Sequence, residues 1–123
     1  MRSGTTRTMR TTIGFERGDL VLVSFPFSDQ VGSKKRPAVV VSSDAYDRQR
    51  PDVILMAVTS QAHRAPAFGD IVIQDWEGAG LLRPSAVKSV ILTAEKRIVV
   101  KRLGRLKLED QRAVRKIIRT IIG

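Results

Sequence analysis

The side chains that most often do chemistry are sparse in this 123-residue chain. It has no cysteine, which closes off thiolate nucleophiles, disulfides and thiolate metal sites. His63 is the single histidine; it lies in the polar stretch Gln61-Ala62-His63-Arg64-Ala65-Pro66, where a solvated ring is the ordinary reading, and no second histidine or cysteine could join it on zinc. Asp44, Asp47 and Asp52 are spread over a loop rather than grouped as magnesium ligands. Gly32-Ser33-Lys34 is too short an echo of a phosphate-binding loop to serve as one. What remains is chemistry by guanidinium, ammonium and hydroxyl groups on anionic partners, with no metal, thiol or nucleotide cofactor.

Charge points the same way. The formal net charge is +10, divided as +3 over residues 1–12 (Arg2, Arg7, Arg10), +1 over 13–100 and +6 over 101–123. A positive field raises the encounter rate with polyanions, nucleic acid being the commonest. A basic, merely solvated surface accounts for the charge equally well.

These groups need a scaffold, and the chain is long enough for one compact domain with one core. Its longest apolar runs, Ala38 to Val41 and Val53 to Val58, are of strand length and far short of the roughly 18 residues needed to cross a bilayer. The first twelve residues lack the apolar core of a signal peptide, so a cytoplasmic location with no membrane partner is expected. Residues 1–15 read as a disordered basic tail, with Met9 as an alternative start, and 16–123 as the domain.

Asp19 to Phe25 reads as a strand with Val21, Val23 and Phe25 on one face, and Phe25 through Lys35 as a long loop. Pro37 to Ser42 and Asp52 to Thr59 are continuous apolar runs, as expected of central strands buried on both faces. The polar stretch between them suggests a helical turn capped by Ser43 or Asp44. Asp70 to Asp75 and Ser85 to Thr93 read as further strands, split by a turn at Gly78-Ala79-Gly80, and strands at this spacing suggest a barrel or strongly twisted sheet. Val114, Ile117, Ile118, Ile121 and Ile122 then form the apolar stripe of a C-terminal amphipathic helix whose basic face meets solvent. Trp76, the only tryptophan, reads as core or interface.

Five blocks carry a resemblance: Arg17-Gly18-Asp19-Leu20-Val21-Leu22-Val23, Lys35-Arg36-Pro37-Ala38-Val39-Val40-Val41-Ser42, Ala57-Val58-Thr59-Ser60-Gln61, Gly80-Leu81-Leu82-Arg83-Pro84-Ser85-Ala86-Val87 and Lys101-Arg102-Leu103-Gly104-Arg105-Leu106. In order and spacing they resemble the PemK/MazF family of toxins from type II toxin-antitoxin systems, over about residues 16–122. The resemblance implies a mainly β fold, an SH3-like β-barrel of five to seven strands with a C-terminal helix, CcdB/PemK-like. It also implies a homodimer and metal-independent, sequence-selective cleavage of single-stranded RNA to 2′,3′-cyclic phosphate and 5′-hydroxyl ends.

By the same resemblance the catalytic arginine falls on Arg36 and the catalytic threonine on Thr59. A planar guanidinium suits the stabilisation of a crowded phosphorane, because it matches phosphate oxygens in pairs and stays charged. A hydroxyl at Thr59 would donate to a non-bridging oxygen. Ser60 and Gln61 could reach phosphate or base edges, Lys34 and Lys35 the backbone, and Phe27 a splayed base. Each has a plain alternative: a turn-capping serine, solvated lysines, a phenylalanine that closes the barrel. The base that takes the 2′-hydroxyl proton stays open, Glu16 and Asp19 being bare candidates.

The expected partners are single-stranded RNA, a cognate antitoxin with an acidic segment, a second copy of the chain, and operator DNA through the toxin-antitoxin complex. The competing reading is a non-catalytic binding protein of the same fold, in an autoregulatory DNA-bound complex or as a gyrase inhibitor. Retention of both Arg36 and Thr59 favours the enzyme.

Overall fold

The structure, a computed structural model, describes residues 14–26, 33–60 and 67–123. Phe27, Gln61, His63 and most of the N-terminal tail therefore lie outside the described residues. The elements run β1 (Asp19–Pro26), β2 (Ser33–Val40), α1 (Asp44–Gln49), β3 (Asp52–Thr59), β4 (Ile71–Val72), β5 (Ala86–Glu95), a 3₁₀ turn (Lys96–Ile98), β6 (Val99–Arg105) and α2 (Leu108–Ile122). The six strands form one antiparallel sheet in the order β4-β5-β3-β2-β1-β6.

The apolar runs of β2 and β3 occupy the middle of that sheet because both of its faces are covered. Leu20, Val39, Met56, Val58 and Val87 point to one side and pack under α2 through Leu106 and Val114. Their neighbours Val21, Val23, Ala38, Val40, Val53 and Leu55 point to the other and are closed by Ala94, Val99, Phe15 and Ile98. The two-residue alternation thus supplies two cores from the same strands. Trp76, Ile117 and Ile118 pack against the first, in keeping with a core reading of Trp76, whereas Ile122 at the helix end is exposed.

The sheet is open: β4 and β6 are its edges, and the expected barrel is not closed by hydrogen bonds. The turn after β4 bridges the gap instead. A Cβ on Gly80 would lie 2.1 Å from the Leu103 carbonyl oxygen, and one on Gly104 2.3 Å from that of Ala79. Gly80 also has φ +88°, so only glycine allows both this turn and this backbone approach.

Three boundaries differ from the sequence reading. Strand pairing continues into the expected loop, Phe25 opposite Lys34 and Pro26 opposite Ser33, so Lys34 and Lys35 belong to β2. The strand expected at Asp70 to Asp75 shrinks to two residues. Ile73 N–H still follows the β5 register by donating to the Ser85 carbonyl, but the Gln74 and Asp75 amides leave the ladder and donate to the buried Asp110 carboxylate at 3.1 Å. β6 was not foreseen, since Val99-Val100-Lys101-Arg102-Leu103-Gly104-Arg105 is a charged edge strand without clean alternation. The helical turn after β2 is α1, and Ser43 caps it by accepting from the Tyr46 amide at 3.1 Å.

Candidate functional site

Arg36 and Thr59 approach because of how β2 and β3 part. The ladder between these strands runs Val40–Leu55, Val39–Met56 and Ala38–Ala57 and then stops. The next residue of β2 is Pro37, which has no N–H to contribute. Carried two residues further, the same register sets Arg36 and Thr59 on opposite sides of the gap that opens where the ladder ends. β2 remains paired with β1 here, Val23 opposite Arg36, and Thr59 remains paired with Ala86 of β5. The strands therefore hold both residues while separating between them. An irregularity in β5 adds to this: its partner residue jumps from Ile91 at Met56 to Val87 at Val58, so the extra residues lie in β5 just before it pairs with Thr59.

A cleft of about 440 Å³ opens at this point. Lys35, Arg36 and Pro37 line it from β2, Val58, Thr59 and Ser60 from the end of β3, Gly80 to Arg83 and Ser85 from the bridging turn, and Lys101 and Leu103 from β6. Four of the expected site residues, Lys35, Arg36, Thr59 and Ser60, are thus brought together. Lys34 is exposed on β2 but does not line the cleft.

Two cations had been given no role from sequence, Arg83 and Lys101. Both stand in the blocks that carry the resemblance, but strand order brings Lys101 to the cleft and the approach of the Gly80 turn to β6 brings Arg83. Lys101 pairs with Leu22, and Leu22 with Pro37, so two strand spacings, about 10 Å, separate Lys101 from Arg36's neighbour. Among the described residues the cleft lining contains four cations and no carboxylate. None of the four is ion-paired with a carboxylate among the described residues. Such a site attracts an anion and leaves its charges available to it. The Ser85 hydroxyl is not spare, being buried and donating to the Arg83 carbonyl at 2.9 Å.

The acids have other work. Asp19 is buried at the start of β1, about 13 Å along the strand from the residue opposite Arg36. Its carboxylate accepts from the Glu16 amide at 2.7 Å and from Arg105 at 2.8 Å, with Arg102 at 3.2 Å. Neither Glu16 nor Asp19 lines the cleft. Asp70 is held below the usual carboxylate range: burial pushes it up, but the Lys88 ammonium at 2.9 Å and the Ala67 and Ser89 amides outweigh that. Asp47 is raised, chiefly by burial, against the Ser42 hydroxyl that donates to it at 2.5 Å and the nearby Lys96 ammonium. Among the described residues no three His, Cys, Asp or Glu side chains converge as a metal site. No helix among them is long and apolar enough to cross a membrane.

An open, two-faced antiparallel sheet with a helix across one face is the fold of MazF-like toxins. One similar solved structure is an endoribonuclease in complex with its cognate antitoxin from a mycobacterial species, with TM-score 0.70 and 18% identity over 89% of this chain and 96% of that one. Another is a chain of the MazE–MazF complex of Deinococcus radiodurans, with TM-score 0.69 and 22% identity over 88% and 95%. A third is the Mycobacterium tuberculosis toxin MazF-mt6, with TM-score 0.65 and 14% identity over 83% and 95%. At these identities the likeness is one of fold. No curated protein sequence matches the chain. Over residues 16–122, however, it matches the PemK-like, MazF-like toxins of type II toxin-antitoxin systems, and it belongs to that family.

Proposed function

We propose that the chain is the toxin of a type II toxin-antitoxin system and an endoribonuclease that cuts single-stranded RNA in the cleft between β2 and β3. The observation that carries this reading is that Arg36 and Thr59 line one cleft, whose described lining has four cations and no carboxylate. RNA brings its own nucleophile, so the protein's tasks are to hold the backbone in line and to stabilise the charge that gathers on phosphorus. The 2′-oxygen bonds to phosphorus as the bond to the 5′-oxygen breaks. The products are a 2′,3′-cyclic phosphate and a 5′-hydroxyl, the leaving oxygen having taken up a proton.

In this scheme Arg36 and Thr59 donate to the non-bridging oxygens of the phosphorane, Arg36 through two N–H groups. Arg36 keeps its proton at any physiological pH, so it stabilises charge and does not act as the base. Lys35, Arg83 and Lys101 hold flanking phosphates, and Ser60 reaches the backbone or a base edge. An antitoxin with an acidic segment would neutralise the toxin by occupying the same cations. The working form is a cytoplasmic homodimer of the 16–123 domain, and contact with operator DNA comes through the toxin-antitoxin complex.

The test is incubation of the full chain with a long single-stranded RNA in EDTA, alongside Arg36→Ala and Thr59→Ala. The native chain is expected to cut, and each variant to lose about a hundred-fold or more in rate. Intact RNA with the native chain, or cutting that survives both substitutions, would overturn the proposal. Gyrase inhibition without RNA cleavage would favour the non-catalytic reading.

A further inference from the structure

We propose that the exposed face of α2 is a second RNA-binding surface, holding the backbone of single-stranded RNA outside the cleft. Arg112, Arg115, Lys116 and Arg119 stand at i, i+3, i+4 and i+7, so they share one face of the helix over about 10 Å of its length. All four are exposed, and with Thr120 they line a shallow depression of their own. Arg115 and Arg119 also border the groove between α2 and the end of β2, where Arg17 joins them as a fifth cation. No residue of this surface lines the cleft.

These cations have no internal use among the described residues. Outside this face and the cleft, several surface cations are paired: Arg50 with Asp52, Lys88 with Asp70, Arg97 with Glu95, Arg102 and Arg105 with Asp19. The two acids of α2 are otherwise engaged: Glu109, one turn before Arg112, pairs with Lys107, and Asp110 accepts from the Gln74 and Asp75 amides. Like charges three and four residues apart destabilise a helix. The macrodipole favours a cation in the last turn, where Arg119 stands, and falls off before Arg112, so a polyanion laid along the face would relieve the remaining repulsion.

Among the described residues the depression lined by α2 holds four cations and a threonine, which suits a phosphate backbone; the adjoining groove, where Val39, Val41, Val114 and Ile118 lie beside Arg17, offers apolar contact as well. A second copy of the same face would bring like charges together. The surface rests on the reading that RNA is the substrate and deepens it. A strand bound at both places reaches the cleft at a raised effective concentration, which lowers KM for long RNA and leaves kcat unchanged.

The test uses the full chain with 2′-O-methyl RNAs, which lack the nucleophile, of about 6 and about 30 nucleotides. The variant replaces Arg112, Arg115, Lys116 and Arg119 together by Gln, whose helix propensity is close to that of Arg and Lys. Affinity for the longer RNA is expected to fall at least about ten-fold at about 50 mM salt, and the slope of log K against log salt to flatten by about 2 to 3, since each phosphate contact on a single strand contributes about 0.7. Affinity for the shorter RNA should move less than about two-fold.

Equal losses for the two lengths, or an unchanged slope for the longer one, would overturn the proposal. So would loss of binding to an acidic peptide with long-RNA binding intact, which would assign the face to a protein partner. If the fourfold variant does not fold by circular dichroism, the pairs Arg112→Gln with Lys116→Gln, and Arg115→Gln with Arg119→Gln, carry the same comparison at about half the slope change. Failure of the native chain to cut RNA would count against the proposed function and leave this length comparison standing.

Discussion

Gly104→Ala tests whether the bridge between the sheet edges shapes the cleft. The new Cβ would lie 2.3 Å from the Ala79 oxygen and 2.5 Å from its carbonyl carbon, where ordinary contact begins at 3.4 Å. β6 and the turn must separate by about 1 Å, and both are backbone, so no side chain can swing away. Overpacking of this kind costs about 1–3 kcal/mol, and the reduced freedom of the unfolded chain returns about 0.4–1 kcal/mol. The net loss is about 1–2 kcal/mol, which lowers Tm by roughly 3–10 °C for a chain of this size. Lys101 and Leu103 on β6 and Gly80 to Arg83 on the turn line opposite parts of the cleft, so the same movement misplaces them. A displacement of about 1 Å can cost about a hundred-fold in rate. Thermal melting and RNA cleavage measure the two effects, with Gly14→Ala, which meets nothing within 4 Å, as the control. A Gly104→Ala chain that melts within about 1 °C of the native one and cuts RNA at the native rate would refute the packing argument.

Three further outcomes follow from the same structure. Arg36→Lys keeps the charge but loses the planar two-pronged donor, so RNA cleavage should fall about a hundred-fold with the melting temperature unchanged. Asp110→Ala removes a buried acceptor of the Gln74 and Asp75 amides and should cost about 2–4 kcal/mol, read by denaturant titration. For Asp47, burial raises the carboxyl, so the folded chain holds this proton more tightly than the unfolded one. Its contribution is then greatest below the ordinary aspartate range and is lost as pH rises through the raised pKa. Asp47→Asn should therefore raise Tm at pH 7, with the gain disappearing in acid; a gain that persists at low pH would contradict this reading.

What the sequence made legible were the elements whose side chains alone dictate them. Asp52 to Thr59 is a strand at the bounds expected, because a run apolar at every position can only be buried on both faces. The helix from Leu108 follows from its 3.6-residue stripe. Elements decided by backbone pairing were less visible. β6 is charged and glycine-containing and exists because β1 offers it a partner, and Lys34 and Lys35 are in a strand because the hairpin pairing runs on past the apolar residues. The short β4 depends on Asp110, thirty-odd residues away, which takes the amides that would have extended it. The site divides the same way: Arg36 and Thr59 are nameable from the resemblance, whereas Lys101 needs strand order and Arg83 the approach of the turn to β6, which no local pattern records.

The central claim is that Arg36 and Thr59 together turn RNA's own 2′-hydroxyl on the adjacent phosphate. The most direct measurement maps the ends left on a single-stranded RNA by the native chain in EDTA and compares them with those left by Arg36→Ala and Thr59→Ala. A 2′,3′-cyclic phosphate and a 5′-hydroxyl at each native cut, with both variants nearly silent, is the predicted result. A 5′-phosphate at the cut, or the same ends at the native rate from either variant, would contradict it.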